Sequence, residues 1–121
     1  MGEVLCRVEG HVATLVLDNE ARRNAMSLSM WQSLAERLQE LDGDKRVRAV
    51  VLRGQGERAF VSGADISEFG EKRDDPAAVA VYNAAVARAQ DSLAAFRCPV
   101  IAAVSGVCYG GGIGLLLSCD L

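Results

Sequence analysis

The chain has 121 residues, of which 50% are hydrophobic and 24% charged, and its formal net charge is −3 at pH 7. A chain of this length can bury the core of one globular domain, and its charge balance offers no basic surface for nucleic acid or an anionic membrane. No apolar run approaches the ~20 residues that span a bilayer, and the N-terminus lacks signal-peptide features. We therefore predict one domain, residues 1–121, located in the cytoplasm.

The cysteines and the single histidine give no pattern typical of a metal site. Cys6, Cys98, Cys108 and Cys119 are widely spaced and form no C-x-x-C pair. His11 would need several of these scattered cysteines to complete a zinc site, and its position in a turn favours a solvated side chain. We predict reduced, buried thiols, with neither a metal nor a disulfide.

The first segments in chain order are two strands and a helix. Residues 4–18 alternate apolar and polar side chains around a turn at Gly10, which predicts two antiparallel strands. Ser27 is a suitable N-cap, and apolar residues then follow at helical spacing, so we predict an amphipathic helix over 28–41. Trp31 is interpreted as an anchor of the core.

The remaining segments alternate strand and helix. Residues 47–52 form a second hydrophobic run, which predicts a strand, and a helix capped by Asp74 or Asp75 is expected to run to Arg97. The continuous apolar run 100–104 indicates a buried strand. Helices between strands favour an α/β unit with a parallel sheet.

Two glycine-containing turns are the candidate binding elements. Ser62-Gly63-Ala64 follows a short apolar strand, and the three glycines of 110–112 open an apolar run of helical character. Glycine lets backbone amides approach a ligand closely, and the start of a helix presents free N–H groups that can hold a phosphate or an oxyanion. A tight turn with a close helix packing contact explains the same residues equally well. Arg22 and Arg23, in a polar loop, either meet phosphates or remain solvated.

Four segments, taken together, carry a specific similarity. They are Asn24-Ala25-Met26, the run AFVSGADI over 59–66, the run PVIAAVSG over 99–106, and the glycines 110–112 followed by Cys119-Asp120. In this order, and over almost the whole chain, they resemble the crotonase, or enoyl-CoA hydratase/isomerase, superfamily. The resemblance implies an α/β fold, the crotonase-like (ClpP/crotonase) spiral of ββα units, of which this chain holds the N-terminal part.

The same resemblance implies a site for an acyl-CoA thioester substrate, with no further cofactor. Matched to the family, the backbone N–H groups of Ala64 and Gly111 form an oxyanion hole that stabilises a thioester enolate. It also implies a homo-oligomer, a trimer or a dimer of trimers. The residues expected to contact the CoA thioester are Arg22, Arg23, Ser62, Gly63, Ala64, Asp65, Ile66, Gly110 and Gly111.

The sequence departs from the hydratase pattern at one position. Gly114 stands where a hydratase of the family carries a catalytic glutamate, and the second family carboxylate is expected beyond residue 121. Of the nearby carboxylates, Asp65 is interpreted as orienting its loop, and Glu68 and Glu71 as a solvated face. Hydratase, isomerase and other branches therefore stay open, as does an acyl-CoA-binding protein without catalysis. A nucleotide-binding domain ranks last because no phosphate-loop spacing is present.

Overall fold

The chain is built as three consecutive ββα units. The computed structural model describes residues 2–65 and 75–121, so Ile66, Glu68 and Glu71 lie outside the described residues. A short 3₁₀ helix, Glu20–Arg22, precedes the first long helix. The units are β1 (Glu3–Glu9), β2 (Val12–Asp18) and α1 (Leu28–Asp42); β3 (Ala49–Gly54), β4 (Ala59–Val61) and α2 (Pro76–Ala94); β5 (Val100–Ala103), β6 (Val107–Cys108) and α3 (Gly111–Ser118).

The strands form two sheets. The larger has the order β1-β2-β3-β5, in which β1 pairs with β2 antiparallel while β2, β3 and β5 are parallel. Leu15 lies opposite Cys6 on one side and Leu52 on the other. The smaller sheet pairs β4 with β6 in parallel. The predicted hairpin and the predicted parallel sheet are both confirmed.

Helix α1 begins and packs as its sequence predicts. The Ser27 side chain accepts a hydrogen bond from the Met30 amide at 3.2 Å, which satisfies one of the free donors of the first turn. Trp31 is 1% exposed and lies in the core between α1 and the inward-facing residues of the larger sheet. At α2, Asp75 provides the predicted cap by accepting from the Ala77 amide at 2.9 Å, whereas Asp74 lies outside the described residues.

Two predicted boundaries are wrong. Strand β3 begins at Ala49 rather than at residue 47, because the Arg48 and Ala49 amides bond to the His11 carbonyl just before the ladder starts. Helix α2 ends at Ala94, and the Arg97 amide donates instead to the Asp42 carboxylate at 3.2 Å. The ends of elements are therefore decided by distant partners rather than by local apolar spacing.

Strand β5 is not the fully buried strand that its sequence indicates. It lies at the edge of the larger sheet, where Val100 is fully buried but Ile101 and Ala102 are partly exposed. Val104, just after the strand, is 44% exposed. On the outer side of β5 the described residues provide only the short segment 120–121, whose Asp120 amide donates to the Val100 carbonyl at 2.9 Å and whose Leu121 carbonyl accepts from the Ala102 amide at 2.8 Å. The apolar run is therefore covered on only part of its surface.

The cysteines are free thiols, but they are not buried as predicted. Cys6 is exposed on the edge strand β1, and Cys98, Cys108 and Cys119 are each partly exposed. Across 2–65 and 75–121, His, Cys, Asp and Glu side chains form no cluster of three suited to a metal ion. Within the same ranges, no helix combines the length and apolar character needed to cross a membrane.

Candidate functional site

The two glycine turns of the sequence lie against each other. Because β4 and β6 are parallel, the turns that follow them leave from the same edge of the smaller sheet. The Tyr109 amide extends this pairing by donating to the Val61 carbonyl at 3.0 Å. A Cβ built on Gly110 would lie 3.5 Å from the Cα of Gly63, which is ordinary van der Waals contact. The structure thus brings Gly63 and Gly110 together.

The amide of Ala64 points away from its paired neighbour. Met26 and Ala64 form a parallel bridge in which the Met26 amide donates to the Gly63 carbonyl at 2.8 Å and the Asp65 amide donates to the Met26 carbonyl at 3.0 Å. This pattern directs the N–H of Ala64 away from Met26. Among the described residues, this N–H donates no hydrogen bond.

Both glycine turns use backbone conformations that favour glycine. Gly63 has φ 133° and Gly110 has φ 52° with ψ −120°. Gly110 is the N-cap of α3, and its carbonyl accepts from the Ile113 amide at 3.1 Å, while the Gly112 amide donates to the Tyr109 carbonyl at 2.8 Å. Helix α3 therefore starts at Gly111 directly beside the 62–64 turn, with the positive end of its dipole at this edge.

A buried polar network holds the 62–65 turn through the side chain of Asp65. Asp65 is only 1% exposed, and its carboxylate accepts from the Asn19 side-chain amide at 3.1 Å and lies 3.9 Å from Nε of Arg22. Asn19 uses the same nitrogen to donate to the Ala25 carbonyl at 2.8 Å. These contacts agree with the orienting role predicted for Asp65, because a buried carboxylate needs fixed donors around it.

The predicted basic residues meet this turn through their backbone. The Arg23 carbonyl accepts from the Ser62 amide at 3.2 Å, and the Arg22 carbonyl accepts from the Ser62 hydroxyl at 3.1 Å. The guanidinium of Arg22 is half-exposed beside Asp65. Residues 22–23 and 62–65 therefore form one continuous patch together with Gly110.

Asn24 has a supporting role that sequence reasoning missed. It is buried, and its backbone has φ 57°. Its side-chain amide donates to the carbonyls of Gln55 at 3.0 Å and Ala59 at 2.8 Å, and its Oδ1 accepts from the backbone amide of Asn19 at 3.0 Å. Asparagine tolerates this left-handed conformation better than most residues. An asparagine in a loop ahead of a capped helix is the signal that could have indicated it.

Gly114 lies one turn into α3 and faces α2. A Cβ at this position would collide with Nε2 of Gln90 and would lie 3.4 Å from its Cδ. Gln90 is half-buried and was not identified from the sequence. Position 114 of α3 is thus a glycine that lies under a neutral carboxamide.

Three ββα units with two backbone turns at adjoining strand ends define an α/β protein of the crotonase class. The chain belongs to the enoyl-CoA hydratase/isomerase family, whose model matches residues 7–121. A crystal structure of an enoyl-CoA hydratase/carnithine racemase from Magnetospirillum magneticum superposes with a TM-score of 0.93 at 39% identity, covering 100% of this chain and 45% of that one. The predicted fold and family are confirmed.

Curated relatives bear the names of more than one activity. YngF of Bacillus subtilis, named as an enoyl-CoA hydratase/isomerase, is 37% identical over 111 residues, which cover 92% of this chain and 42% of YngF. The mitochondrial Delta(3,5)-Delta(2,4)-dienoyl-CoA isomerase of Rattus norvegicus is 36% identical over 120 residues, covering 92% of this chain and 36% of the isomerase. The chain thus spans less than half the length of these relatives.

Proposed function

We propose that this chain binds an acyl-CoA thioester and polarises its carbonyl group with the backbone amides of Ala64 and Gly111. The observation that carries the proposal is the Ala64 N–H, which points away from Met26 and donates no hydrogen bond within the described residues. The turn that carries it lies against Gly110, the N-cap of α3. Two donors converging on one oxygen are the arrangement that an acyl-transfer or enolate site needs.

The chemistry of a thioester favours such donors. Removing a proton next to the carbonyl, or adding a nucleophile to the conjugated double bond, places negative charge on the thioester oxygen. Fixed amides stabilise this charge without reorganising, and the loss of one such donor costs about 2.7–4 kcal/mol of barrier. The helix dipole of α3 adds to the stabilisation at Gly111.

The proton chemistry favours a branch other than the hydratases. Addition of water to a double bond needs an acid and a base near the substrate, and Gly114 offers neither. The reaction that we propose is therefore an isomerisation or another reaction of the crotonase family, rather than hydration. An acyl-CoA-binding protein without turnover is the second candidate, and the glycine at position 114 is the observation that favours it.

The proposal extends to the rest of the ligand and to assembly. Arg22 and Arg23 would approach the CoA phosphates, and residues 62–66 with Gly110 would lie along the thioester and the adenosine part of CoA. Arg22 is half-exposed and therefore accessible to a phosphate. We propose acyl-CoA as the substrate with no additional cofactor, and a cytoplasmic homo-oligomer, a trimer or a dimer of trimers, as the assembled form.

The test uses a chromophoric enoyl-CoA in which an electron-donating aryl ring is conjugated with the thioester. Polarisation of the carbonyl lengthens the wavelength at which such a compound absorbs, so a red shift on binding reports the two donors. Ala64→Pro removes the N–H and leaves the two hydrogen bonds of the bridge to Met26, which use the Gly63 carbonyl and the Asp65 amide. Its ring also fixes φ at position 64 and restricts Gly63, so thermal unfolding of the variant is measured alongside. Ala64→Gly keeps the N–H and is the matched control.

We expect a red shift with the wild-type chain and with Ala64→Gly, and none with Ala64→Pro. Turnover, measured with crotonyl-CoA for hydration and with a 3-enoyl-CoA for isomerisation, should fall about 100- to 1,000-fold in Ala64→Pro. A wild-type protein that binds the compound without any shift would contradict the oxyanion hole. A red shift without turnover of either substrate supports an acyl-CoA-binding protein that lacks catalysis. Calorimetric titration with NAD in place of CoA tests the alternative of a nucleotide-binding domain.

A further inference from the structure

A series of hydrogen bonds joins both long helices to the bridge between Met26 and Ala64. Nε1 of Trp31, on α1, donates to the hydroxyl oxygen of Tyr82, on α2, at 2.8 Å. The Tyr82 hydroxyl lies 2.8 Å from the Met26 carbonyl oxygen and donates to it. The series of hydrogen bonds therefore ends at Met26, the residue that is bridged to Ala64.

The direction of each bond in this series is fixed by chemistry. The indole N–H of Trp31 can only donate, so the Tyr82 oxygen must be the acceptor. The one proton of the Tyr82 hydroxyl is then directed at the Met26 carbonyl, which can only accept. Trp31 is 1% exposed, so its indole is held by the surrounding core. Hydrogen bonds in series also polarise and strengthen one another.

The Met26 carbonyl is shared between Tyr82 and the turn. It accepts from the Asp65 amide at 3.0 Å as well as from Tyr82, and the Met26 amide donates to the Gly63 carbonyl at 2.8 Å. The residues before and after Ala64 are thus both held by Met26. The Met26 amide holds the Gly63–Ala64 peptide, which carries the Ala64 N–H, and the Met26 carbonyl holds the next peptide through the Asp65 amide. Whatever fixes the position of Met26 therefore acts on both peptides that flank Ala64.

We infer that Tyr82 is a positioning residue, which sets the direction of the Ala64 amide through the Met26 carbonyl. The inference rests on the proposed function, since the direction of the amide matters only if it binds a substrate oxygen. Tyr82 acts through Met26 and is assigned no contact with the substrate. Removal of its hydroxyl leaves the Met26 carbonyl with Asp65 as its remaining donor among the bonds described above, and the bridged strand becomes free to tilt.

The experiment compares Tyr82→Phe with Ser92→Ala in the full chain. The first variant removes only the hydroxyl from α2, and the second removes another α2 hydroxyl, which bonds within the helix to the Arg88 carbonyl at 2.8 Å. The chromophoric enoyl-CoA supplies the spectroscopic readout, and thermal unfolding is measured for both proteins. We expect Tyr82→Phe to lose part of the red shift and to lower kcat about 5- to 30-fold, with KM within about twofold of wild type.

The outcomes separate this inference from the function on which it rests. A wild-type protein without a red shift contradicts the proposed function itself. A wild-type shift that Tyr82→Phe retains in full, with unchanged kcat, overturns the inference alone, even if the melting temperature falls. A reduced shift and kcat in Tyr82→Phe, with neither change in Ser92→Ala, supports the positioning role.

Discussion

The Gln90 carboxamide lies over Gly114, in the space that any side chain at that position would need. Gly112, two residues earlier on α3, faces a different neighbour, since a Cβ there would lie 2.7 Å from the Val61 carbonyl oxygen and 2.9 Å from Val61 Cβ. One glycine is thus opposed by the tip of a flexible side chain and the other by the backbone of β4. The two positions should respond differently to the same substitution.

We expect Gly112→Ala to lower the free energy of unfolding by about 1–3 kcal/mol, because β4 cannot retreat from the added methyl group. Gly114→Ala should remain within about 0.5 kcal/mol of wild type, since alanine gains helix propensity while Gln90 turns aside. Urea unfolding followed by the fluorescence of Trp31 measures both values.

The matched background for this comparison is Gln90→Ala, which removes the obstacle above position 114. In that background Gly114→Ala should stabilise the chain by about 1 kcal/mol, the propensity difference alone. Equal losses in the free energy of unfolding for Gly112→Ala and Gly114→Ala would contradict the different surroundings described for the two glycines.

An added Cβ at Gly63 has no atom of the described residues within 4 Å, yet the φ of 133° lies in the region that L side chains rarely adopt. Gly63→Ala should therefore cost about 1–3 kcal/mol through backbone strain alone. Because the Gly63 carbonyl holds Met26, relaxation of this strain should also move Ala64 and weaken acyl-CoA binding, which calorimetric titration measures.

Gly10 provides the control for this substitution. It too has a positive φ, 60°, and within the part of the chain that the structure describes no atom lies within 4 Å of an added Cβ, but it lies in the hairpin turn between β1 and β2. Gly10→Ala should cost about 1–2 kcal/mol of stability and leave acyl-CoA affinity unchanged. Equal losses of affinity in both variants would assign the effect to global destabilisation.

Asn24→Asp should make stability depend on pH. The aspartate would turn a carboxylate toward the Gln55 and Ala59 carbonyls, which now accept from the Asn24 amide. Near neutral pH we expect a loss of about 2–3 kcal/mol, since two buried acceptors lose their donor. The pKa of the new carboxyl would be raised, so the protonated form, which can donate, keeps more stability at low pH, and that stability is lost as the pH rises through the raised pKa.

Urea unfolding at pH 4.5 and 7.5, compared with wild type, measures this dependence. Asn83→Asp on the exposed face of α2 is the control and should change stability by less than about 0.5 kcal/mol at either pH. A loss in Asn24→Asp that is the same at both pH values would argue against the carbonyl contacts as its cause.

Cys119 should react slowly with alkylating agents. Burial, with a smaller contribution from Asp120, raises the pKa of this thiol from 9.0 to about 11, so about a thousandth of it is thiolate at pH 8. Iodoacetamide followed by mass spectrometry should therefore label the exposed Cys6 well before Cys119. The rate at Cys119 should keep rising toward pH 11, and a plateau near pH 9 would contradict the raised pKa.

The same shift has a consequence for stability with a definite sign. The unfolded thiol ionises near its ordinary value of 9.0, while the folded thiol holds its proton to about 11. The free energy of unfolding should therefore decrease as the pH rises between these values. Cys119→Ser removes the titrating group and should flatten this part of the stability profile.

Local features of the sequence predict the elements well where the decisive contact is also local. The Ser27 cap bonds three residues along the chain, and the Gly10 turn joins adjacent strands, so both could be predicted. The exposure of β5 could not, because a continuous apolar run does not distinguish a central strand from an edge strand.

The glycine turns of the candidate site could be predicted from the residues alone. Gly63 and Gly110 adopt backbone conformations that glycine alone reaches easily, and this requirement is visible in the sequence. Asn24 and Tyr82 act on partners that are 35 and 56 residues away, Ala59 and Met26. No spacing rule connects positions so far apart, so their roles become evident only once the chain is folded.

The donor that we propose at position 64 belongs to the main chain, and the residue that carries it is already an alanine. An alanine scan would therefore pass over this position without recording an effect, and a search for reactive side chains would pass over it too. The amide can be removed without altering any side chain by exchanging it for an ester bond during chemical synthesis of the chain. A centre built in this way tolerates changes of side chain and responds to changes of backbone, the reverse of what most mutational surveys are designed to detect.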